Sequence, residues 1–159
     1  MKEIYMNPDR CIYCRACEVA CEREHKGHSL TSVILIEARY PIPIRCFHCE
    51  KSPCVKVCPT NALVRVEEGA VIIELAKCIG CGFCAIVCPF GALEFDMASK
   101  VMMKCDLCIH RLREGREPAC VTTCPTKALV YDEFNFIAQK VREKAAATLV
   151  RSTKMGGII

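Results

Sequence analysis

The sequence predicts an α+β fold of two small pseudo-symmetric modules, made of short β-hairpins and helices, followed by a C-terminal helix. Three observations predict it. Sixteen of the 159 residues are cysteine, and they fall into four runs of four. A unit Cys-Pro-x-x-Ala-Leu recurs at Cys58–Leu63, Cys88–Leu93 and Cys124–Leu129, as expected when one half has been duplicated. Short β-branched segments separate the runs, and a long stretch of helical period comes only at the C-terminal end.

Each element follows in chain order. Glu3 to Met6 is a strand candidate stopped by Asn7-Pro8. Run one places cysteines at Cys11, Cys14, Cys17 and Cys21. No breaker follows Cys17 until Gly27, so a helix is expected there; Glu22 stands where the other runs have proline, and the helix can continue through Cys21. Ser32 to Tyr40 is β-branched and reads as one strand, after which Pro41 and Pro43 impose an extended crossing. Run two is Cys46, Cys49, Cys54 and Cys58, with Lys51-Ser52-Pro53 lengthening its middle loop. Leu63–Val66 and Val71–Leu75 form a hairpin around Glu67–Ala70, with Gly69 free to take positive φ.

Run three, Cys78, Cys81, Cys84 and Cys88 with Pro89, is the most regular. A second hairpin joins Leu93–Phe95 to Lys100–Met103 through Met97–Ser99. Run four is Cys105, Cys108, Cys120 and Cys124; its insert, Ile109 to Ala119, is polar and basic with Gly115 and Pro118, and reads as a surface loop. Ala128–Tyr131 is a last short strand. A helix is expected from Glu133 to about Arg151, with Asp132 as N-cap and Phe134, Ile137, Ala138, Val141, Ala145 and Leu149 on its apolar face. Two isoleucines in the tail, Ile158 and Ile159, read as exposed.

Cysteine is abundant enough to flag a framework. It also inflates the hydrophobic fraction of 52%, so the aliphatic and aromatic core is modest. Modules this small need a further source of stability, which bound metal can supply. A disulfide scaffold would need a secreted context. The N-terminal residues show no apolar leader, and no transmembrane stretch occurs, so a cytoplasmic, reducing setting is expected.

Run three has the interval pattern C-x2-C-x2-C-x3-C-P, the ligand spacing of a cubane iron–sulfur cluster. Three thiolates on one loop can wrap a cluster, with backbone N–H groups aimed at its sulfur and Gly80 and Gly82 allowing close approach. The fourth cysteine lies beyond the loop, and in two-cluster proteins it ligates the neighbouring cluster. Four runs therefore imply two pairs and four [4Fe-4S] clusters. Zinc sites built from two C-x2-C pairs fit these intervals poorly. The formal net charge of +4 suggests nucleic acid. Four oxidised clusters at about −2 each would bring it to about −4, so the basic residues read as compensation for buried anions. No nucleic-acid partner is expected.

With this order of intervals, residues 1 to about 131 closely resemble the iron–sulfur subunits of the dimethyl-sulfoxide-reductase family. These are four-cluster, dicluster-ferredoxin-like electron-transfer proteins of formate dehydrogenases, formate hydrogen lyase, carbon monoxide dehydrogenase and polysulfide or thiosulfate reductases. Similar polyferredoxins accompany tungsten aldehyde oxidoreductases. The resemblance implies that runs one and four pair, and that runs two and three pair. It gives four ligand sets: Cys11, Cys14, Cys17 and Cys124; Cys105, Cys108, Cys120 and Cys21; Cys46, Cys49, Cys54 and Cys88; Cys78, Cys81, Cys84 and Cys58. It divides the protein into 1–44 with 100–131 as one dicluster module, 45–99 as the other, and 132–159 as the C-terminal helix and tail.

The implied role is one-electron transfer without catalysis. The partner is a catalytic oxidoreductase: a tungsten or molybdenum enzyme, a carbon monoxide dehydrogenase or a hydrogenase. Further copies of the protein or a soluble ferredoxin could complete the path. A free-standing polyferredoxin carrier or redox regulator is the alternative. With every ligand position filled by cysteine, His25, His28, His48 and His110 read as solvated or lying beside the clusters. Arg111, Arg113 and Arg116 either dock an acidic partner or are simply solvated. The C-terminal helix is expected to pack on the cluster modules or on the catalytic subunit, and Lys140, Arg142, Glu143 and Lys144 argue against membrane insertion.

Overall fold

A computed structural model describes residues 2–155, with side chains described through Arg151. The tail isoleucines lie outside the described residues. The architecture of the described residues is α+β, with four separate two-stranded antiparallel sheets and six α-helices.

Strand β1 (Lys2–Met6) ends at a tight turn, Pro8–Arg10, capped by the Asn7 side chain. Helix α1 spans Ala16–Glu24 and includes both Cys17 and Cys21, as expected where no proline interrupts. Strands β2 (Thr31–Ile36) and β3 (Tyr40–Arg45) pair with each other. This corrects the expectation of one strand and an extended crossing. The chain reverses at Glu37 and Ala38, both at positive φ, and the prolines fall inside β3. Pro41 and Pro43 are two residues apart, so their missing donors face the same way, onto the open edge of a two-stranded sheet.

Helix α2 (Pro53–Val57) precedes the hairpin of β4 (Leu63–Arg65) and β5 (Val71–Ile73), which turns through Gly69 at φ +84°. Helix α3 (Phe83–Ile86) precedes the hairpin of β6 (Leu93–Asp96) and β7 (Val101–Lys104). The Asp96 carboxylate holds that turn by accepting from the N–H groups of Ala98 and Ser99 at 3.2 and 2.9 Å.

The insert of run four is not simply a loop. Ile109–Arg113 has no breaker and forms helix α4, ended at Gly115; Ala119–Thr123 forms α5. Strand β8 (Leu129–Glu133) pairs with β1 along its whole length, so Asp132 lies in a strand opposite Glu3 and not at a helix cap. Helix α6 (Phe134–Met155) follows directly.

Two apolar cores hold the fold together. One packs Ile4, Val33, Ala70, Leu107, Val121 and Leu129 with Cys17 and Cys120. The other packs Leu63, Val71, Leu93 and Met102 with Cys84. Helix α1 lies on α5, and α2 lies on α3. The start of α6 rests on β1 and β8, with the Tyr5 and Phe134 rings 6.5 Å apart. Beyond Ala138 its residues are exposed through Arg151, including Val141, Ala145 and Leu149 on the expected apolar face. Among the described residues no helix is long and apolar enough to cross a membrane.

Candidate metal centres

The four cysteine runs share one local construction. The first cysteine leaves a strand or a tight turn: Cys46 follows β3, Cys105 follows β7, and Cys11 and Cys78 follow the turns Pro8–Arg10 and Leu75–Lys77. The residue before the second cysteine is left-handed in every run: Tyr13, His48, Gly80 and Leu107, at φ between 49° and 67°. Such a kink turns successive backbone groups toward the inside of the loop. The third cysteine sits in a short helix: Cys17 in α1, Cys54 in α2, Cys84 in α3 and Cys120 in α5. After the fourth, the Cys-Pro-x-x-Ala-Leu units turn through Asn61, Gly91 and Lys127, again at positive φ.

The loops aim donors at sulfur. The N–H groups of Ala62 and Ala128 lie 3.2 Å from Cys58 Sγ and Cys124 Sγ. Leu30 N–H lies 3.2 Å from Cys21 Sγ. His48 and Leu107 donate to the first thiols of their own runs, Cys46 and Cys105, at 3.4 Å. Met102 in β7 donates to Cys78 across the module at 3.5 Å. Gly80 and Gly82 do different work. A Cβ on Gly80 would meet the Lys100 carbonyl and the Phe95 ring, whereas one on Gly82 meets nothing within 4 Å. Gly80 allows close approach, and Gly82 supplies only a positive φ.

Cysteines distant in sequence meet here. Cys58, Cys78, Cys81 and Cys84 line a single cavity with Leu63, Ile73 and Met102. Cys120 is within electrostatic reach of Cys108, Cys21 and Cys17, and Cys105 of Cys120 and Cys46. Cys84 feels Cys81 and Cys54, and Cys54 feels Cys46. Cys11 and Cys124 pack on the Leu129 core, and Cys88 on the Leu63 core. Cys14 and Cys49 enter neither core. Cys14 and Cys81 are exposed, and all sixteen cysteines are free of disulfides.

Burial pushes the Cys17 thiol up to about 11 and Cys120 up to about 12, and holds Cys105, Cys108, Cys54 and Cys84 above the ordinary thiol range. Cys58 and Cys124 go the other way. Burial works against them, but the backbone donors and the Thr60 and Thr126 hydroxyls outweigh it. Protein alone keeps these six raised thiols neutral. Iron would stabilise them as thiolates and release their protons, so this donor set fits a soft-ligand cluster.

The family comparison agrees with this chemistry. Residues 36–134 match the profile described as "4Fe-4S dicluster domain", and residues 8–24 match a "4Fe-4S binding domain". The chain belongs to the 4Fe-4S dicluster family. It is an iron–sulfur protein binding more than one 4Fe-4S cluster. The thiosulfate reductase electron transfer subunit of Salmonella typhi is 38% identical, covering 79% of this protein and 72% of that one. An iron-sulfur protein of Rhodospirillum rubrum is 35% identical, covering 94% and 91%. The B subunit of the anaerobic dimethyl sulfoxide reductase of Escherichia coli is 32% identical, covering 89% and 78%. The resemblance to the dimethyl-sulfoxide-reductase iron–sulfur subunits is borne out.

Other candidate residues fall into place. Arg111 pairs with Glu24 at 3.0 Å, Arg113 with Glu68 at 2.8 Å, and Arg116 with Glu114. The basic insert therefore has carboxylate partners of its own, Glu24 and Glu68 from other segments and Glu114 within it. His28 and His110 are exposed, and His25 is half-buried, its Nε2 2.9 Å from Asp106 Oδ1. His48 is buried, its Nδ1 accepting from Val71 N–H at 2.9 Å. Burial, with Lys104 and Arg45 nearby, pushes His48 down to about 3, so it is neutral. Arg65 of β4 clamps run two by donating to the His48 and Cys49 carbonyls at 2.9 and 2.7 Å. Sequence reasoning missed that clamp and the burial of Arg45 and Lys104. One signal was present: a basic residue precedes the first cysteine of every run, as Arg10, Arg45, Lys77 and Lys104.

Proposed function

We propose that the protein is the electron-transfer subunit of an oxidoreductase complex, holding four [4Fe-4S] clusters in two paired modules. Each cluster, when bound, takes up and gives back one electron. The ligand sets are those of the family pattern, with Cys21, Cys58, Cys88 and Cys124 each crossing to the partner run. The observation that carries this reading is the cavity shared by Cys58 of run two and Cys78, Cys81 and Cys84 of run three. The packing of α1 on α5, of α2 on α3, and the full-length pairing of β1 with β8 support the pairing of runs one and four and of runs two and three, whereas the β6–β7 hairpin bridges the expected boundary between 45–99 and 100–131, with Met102 of β7 in the second core.

The protein's own work is to hold the clusters, to keep water from the buried thiols and to aim N–H donors at sulfur. Electrostatic reach between sets supports one linear order. Cys84 reaches Cys54, Cys105 reaches Cys46, and Cys120 reaches Cys17. The sets of Cys81 and Cys14 then stand at the ends, where the two exposed thiols lie beside exposed Ile79, Phe83 and Ile86, and Ile12 and Tyr13. These ends are where partners dock. The catalytic partner is of the molybdenum or tungsten reductase and dehydrogenase class, in line with the named relatives. The setting we propose is a reducing cytoplasm, where clustered cysteines are kept from forming disulfides and remain available to iron.

Anaerobic purification from the native host tests both parts. The expected product co-elutes with a catalytic oxidoreductase subunit and contains four clusters by iron and acid-labile sulfide. A protein that elutes alone and reduces several unrelated enzymes would defeat the subunit reading in favour of a free carrier.

A further inference from the structure

Arg45 and Lys104 occupy equivalent places in the repeat. Each ends a strand, β3 or β7, and each immediately precedes the first cysteine of its run. Their counterparts Arg10 and Lys77 are exposed, but Arg45 is 3% and Lys104 is 5% exposed. A buried cation is costly unless an opposite charge meets it. Among the described residues neither makes an ion pair with a carboxylate. Arg45 Nη2 donates to the Ile4 carbonyl and the guanidinium lies over the Phe47 ring, 5.6 Å from its centroid, while Nε and Nη1 are buried without a hydrogen-bond partner. Lys104 Nζ donates to the Val71 carbonyl and, at 2.6 Å, to that of Cys105. Carbonyls satisfy donors but do not neutralise charge.

The ionisable groups within electrostatic reach of Arg45 are cysteine sulfurs, in the order Cys120, Cys105, Cys46 and Cys17, which would carry charge as iron-bound thiolates. Lys104 acts on Cys54 and Cys105. Cys105 and Cys120 belong to one inner ligand set, and Cys46 and Cys54 to the other. Both cations therefore lie where the two inner sets adjoin, and Arg45 also reaches Cys17 of one outer set.

We propose that Arg45 and Lys104 are fixed counter-charges for the two inner clusters, raising their reduction potentials above the values burial alone would set. This rests on the four-cluster ligand assignment proposed above. Adding an electron makes an anionic cluster more negative, and burial away from water opposes that step. A permanent cation nearby favours the reduced form. Placed at the junction, the pair keeps the passage between modules from becoming the steepest uphill step. Neither residue touches a reacting atom of substrate; both are positioning residues acting through charge.

Redox titration followed by electron paramagnetic resonance tests this on the anaerobic complex, with iron and sulfide counted for each protein. Arg45→Met and Lys104→Met keep length and remove charge. Each is expected to lower the reduction equilibrium constant of the inner clusters about tenfold, about 59 mV for a one-electron couple. The outer clusters should move less, and Arg45→Lys should stay near the unmodified protein. Unchanged potentials with clusters intact would overturn the proposal, as would equal shifts in every cluster. Loss of iron from both Met variants but not from Arg45→Lys would also overturn it, making the cations assembly residues. A count below four in the unmodified protein would sink the ligand assignment alone, because the variants would still show whether any centre shifts.

Discussion

Ala62 N–H lies 3.2 Å from Cys58 Sγ, and the Thr60 hydroxyl lies 3.7 Å from the same sulfur. The pair repeats in the other module as Ala128 and Thr126 around Cys124, at 3.2 and 3.8 Å. The backbone of Leu63 leads the donors that hold Cys58 below the ordinary range, joined by the Thr60 hydroxyl and Ala62 N–H, and Leu129, Thr126 and Ala128 do the same for Cys124, where burial alone would raise both thiols. Thr60→Val keeps the shape and removes one donor. The expected result is an intact protein with one cluster at a more negative potential, a change on the order of 1 kcal/mol in the electron's free energy. Thr126→Val should shift a different cluster. Spectroelectrochemical titration of the two variants checks this, and identical shifts would refute it.

Gly80 and Gly82 separate two meanings of glycine. Both have positive φ, at 67° and 77°. Only at Gly80 would a Cβ collide, with the Lys100 carbonyl and with Phe95 Cε2 at 3.0 Å. Gly82→Ala should cost about 1–2 kcal/mol, the penalty of a left-handed alanine. Gly80→Ala adds overpacking against backbone and should cost about 2–4 kcal/mol in all. Thermal unfolding of the cluster-loaded proteins, read by loss of visible absorbance, gives the order. Equal losses would mean that the approach of Phe95 and Lys100 to run three is not tight.

The same residues show which features were legible in the sequence. Intervals within a run are local, so the loops, the short helices and the hairpins at Gly69 and Asp96 could be read from residues a few positions apart. Continuation of α1 through Cys21 was legible for the same reason, since a missing proline is a local fact. The β2–β3 hairpin was not, because Pro41 and Pro43 suggest a crossing until one knows that β3 has an open edge. Helix α4 was hidden by basic residues that look solvated until Glu24 and Glu68 arrive from distant segments. Burial of Arg45 and Lys104 was beyond local reading, since it arises only where β3, β7 and the start of β1 converge.

Glu24 is the acceptor that ties helix α4 to α1. Its carboxylate meets His110 Nε2 at 2.7 Å and Arg111 Nη1 at 3.0 Å, and these partners hold it below the ordinary carboxylate range. A depressed carboxyl contributes stability that is present above its unfolded value, about 4.5, and lost as pH falls through the folded value. Its own ionisation should therefore add no pH dependence between pH 7 and pH 5. Glu24→Gln should cost about 1 kcal/mol or less over that range and speed hydrogen exchange in residues 109–116. A penalty that grows steadily from pH 7 to pH 5 would show that another group governs the contact.

Cys88 is the sharpest test of crossing. It follows α3 in run three and packs on the core that also holds Cys54 and Cys58. If it stayed with its own run, Cys88→Ser would resemble Cys84→Ser. If it crosses, the lesion should resemble Cys54→Ser, because a serine oxygen would then replace sulfur in the set of Cys46, Cys49 and Cys54. Paramagnetic resonance of the three reduced variants distinguishes the outcomes directly, since each lost or altered cluster removes its own signal. The expected match is Cys88→Ser with Cys54→Ser. Cys58→Ser should match Cys84→Ser by the same exchange, because Cys58 and Cys84 line one cavity. A spectrum pairing Cys88→Ser with Cys84→Ser would assign each run its own cluster and undo the paired arrangement.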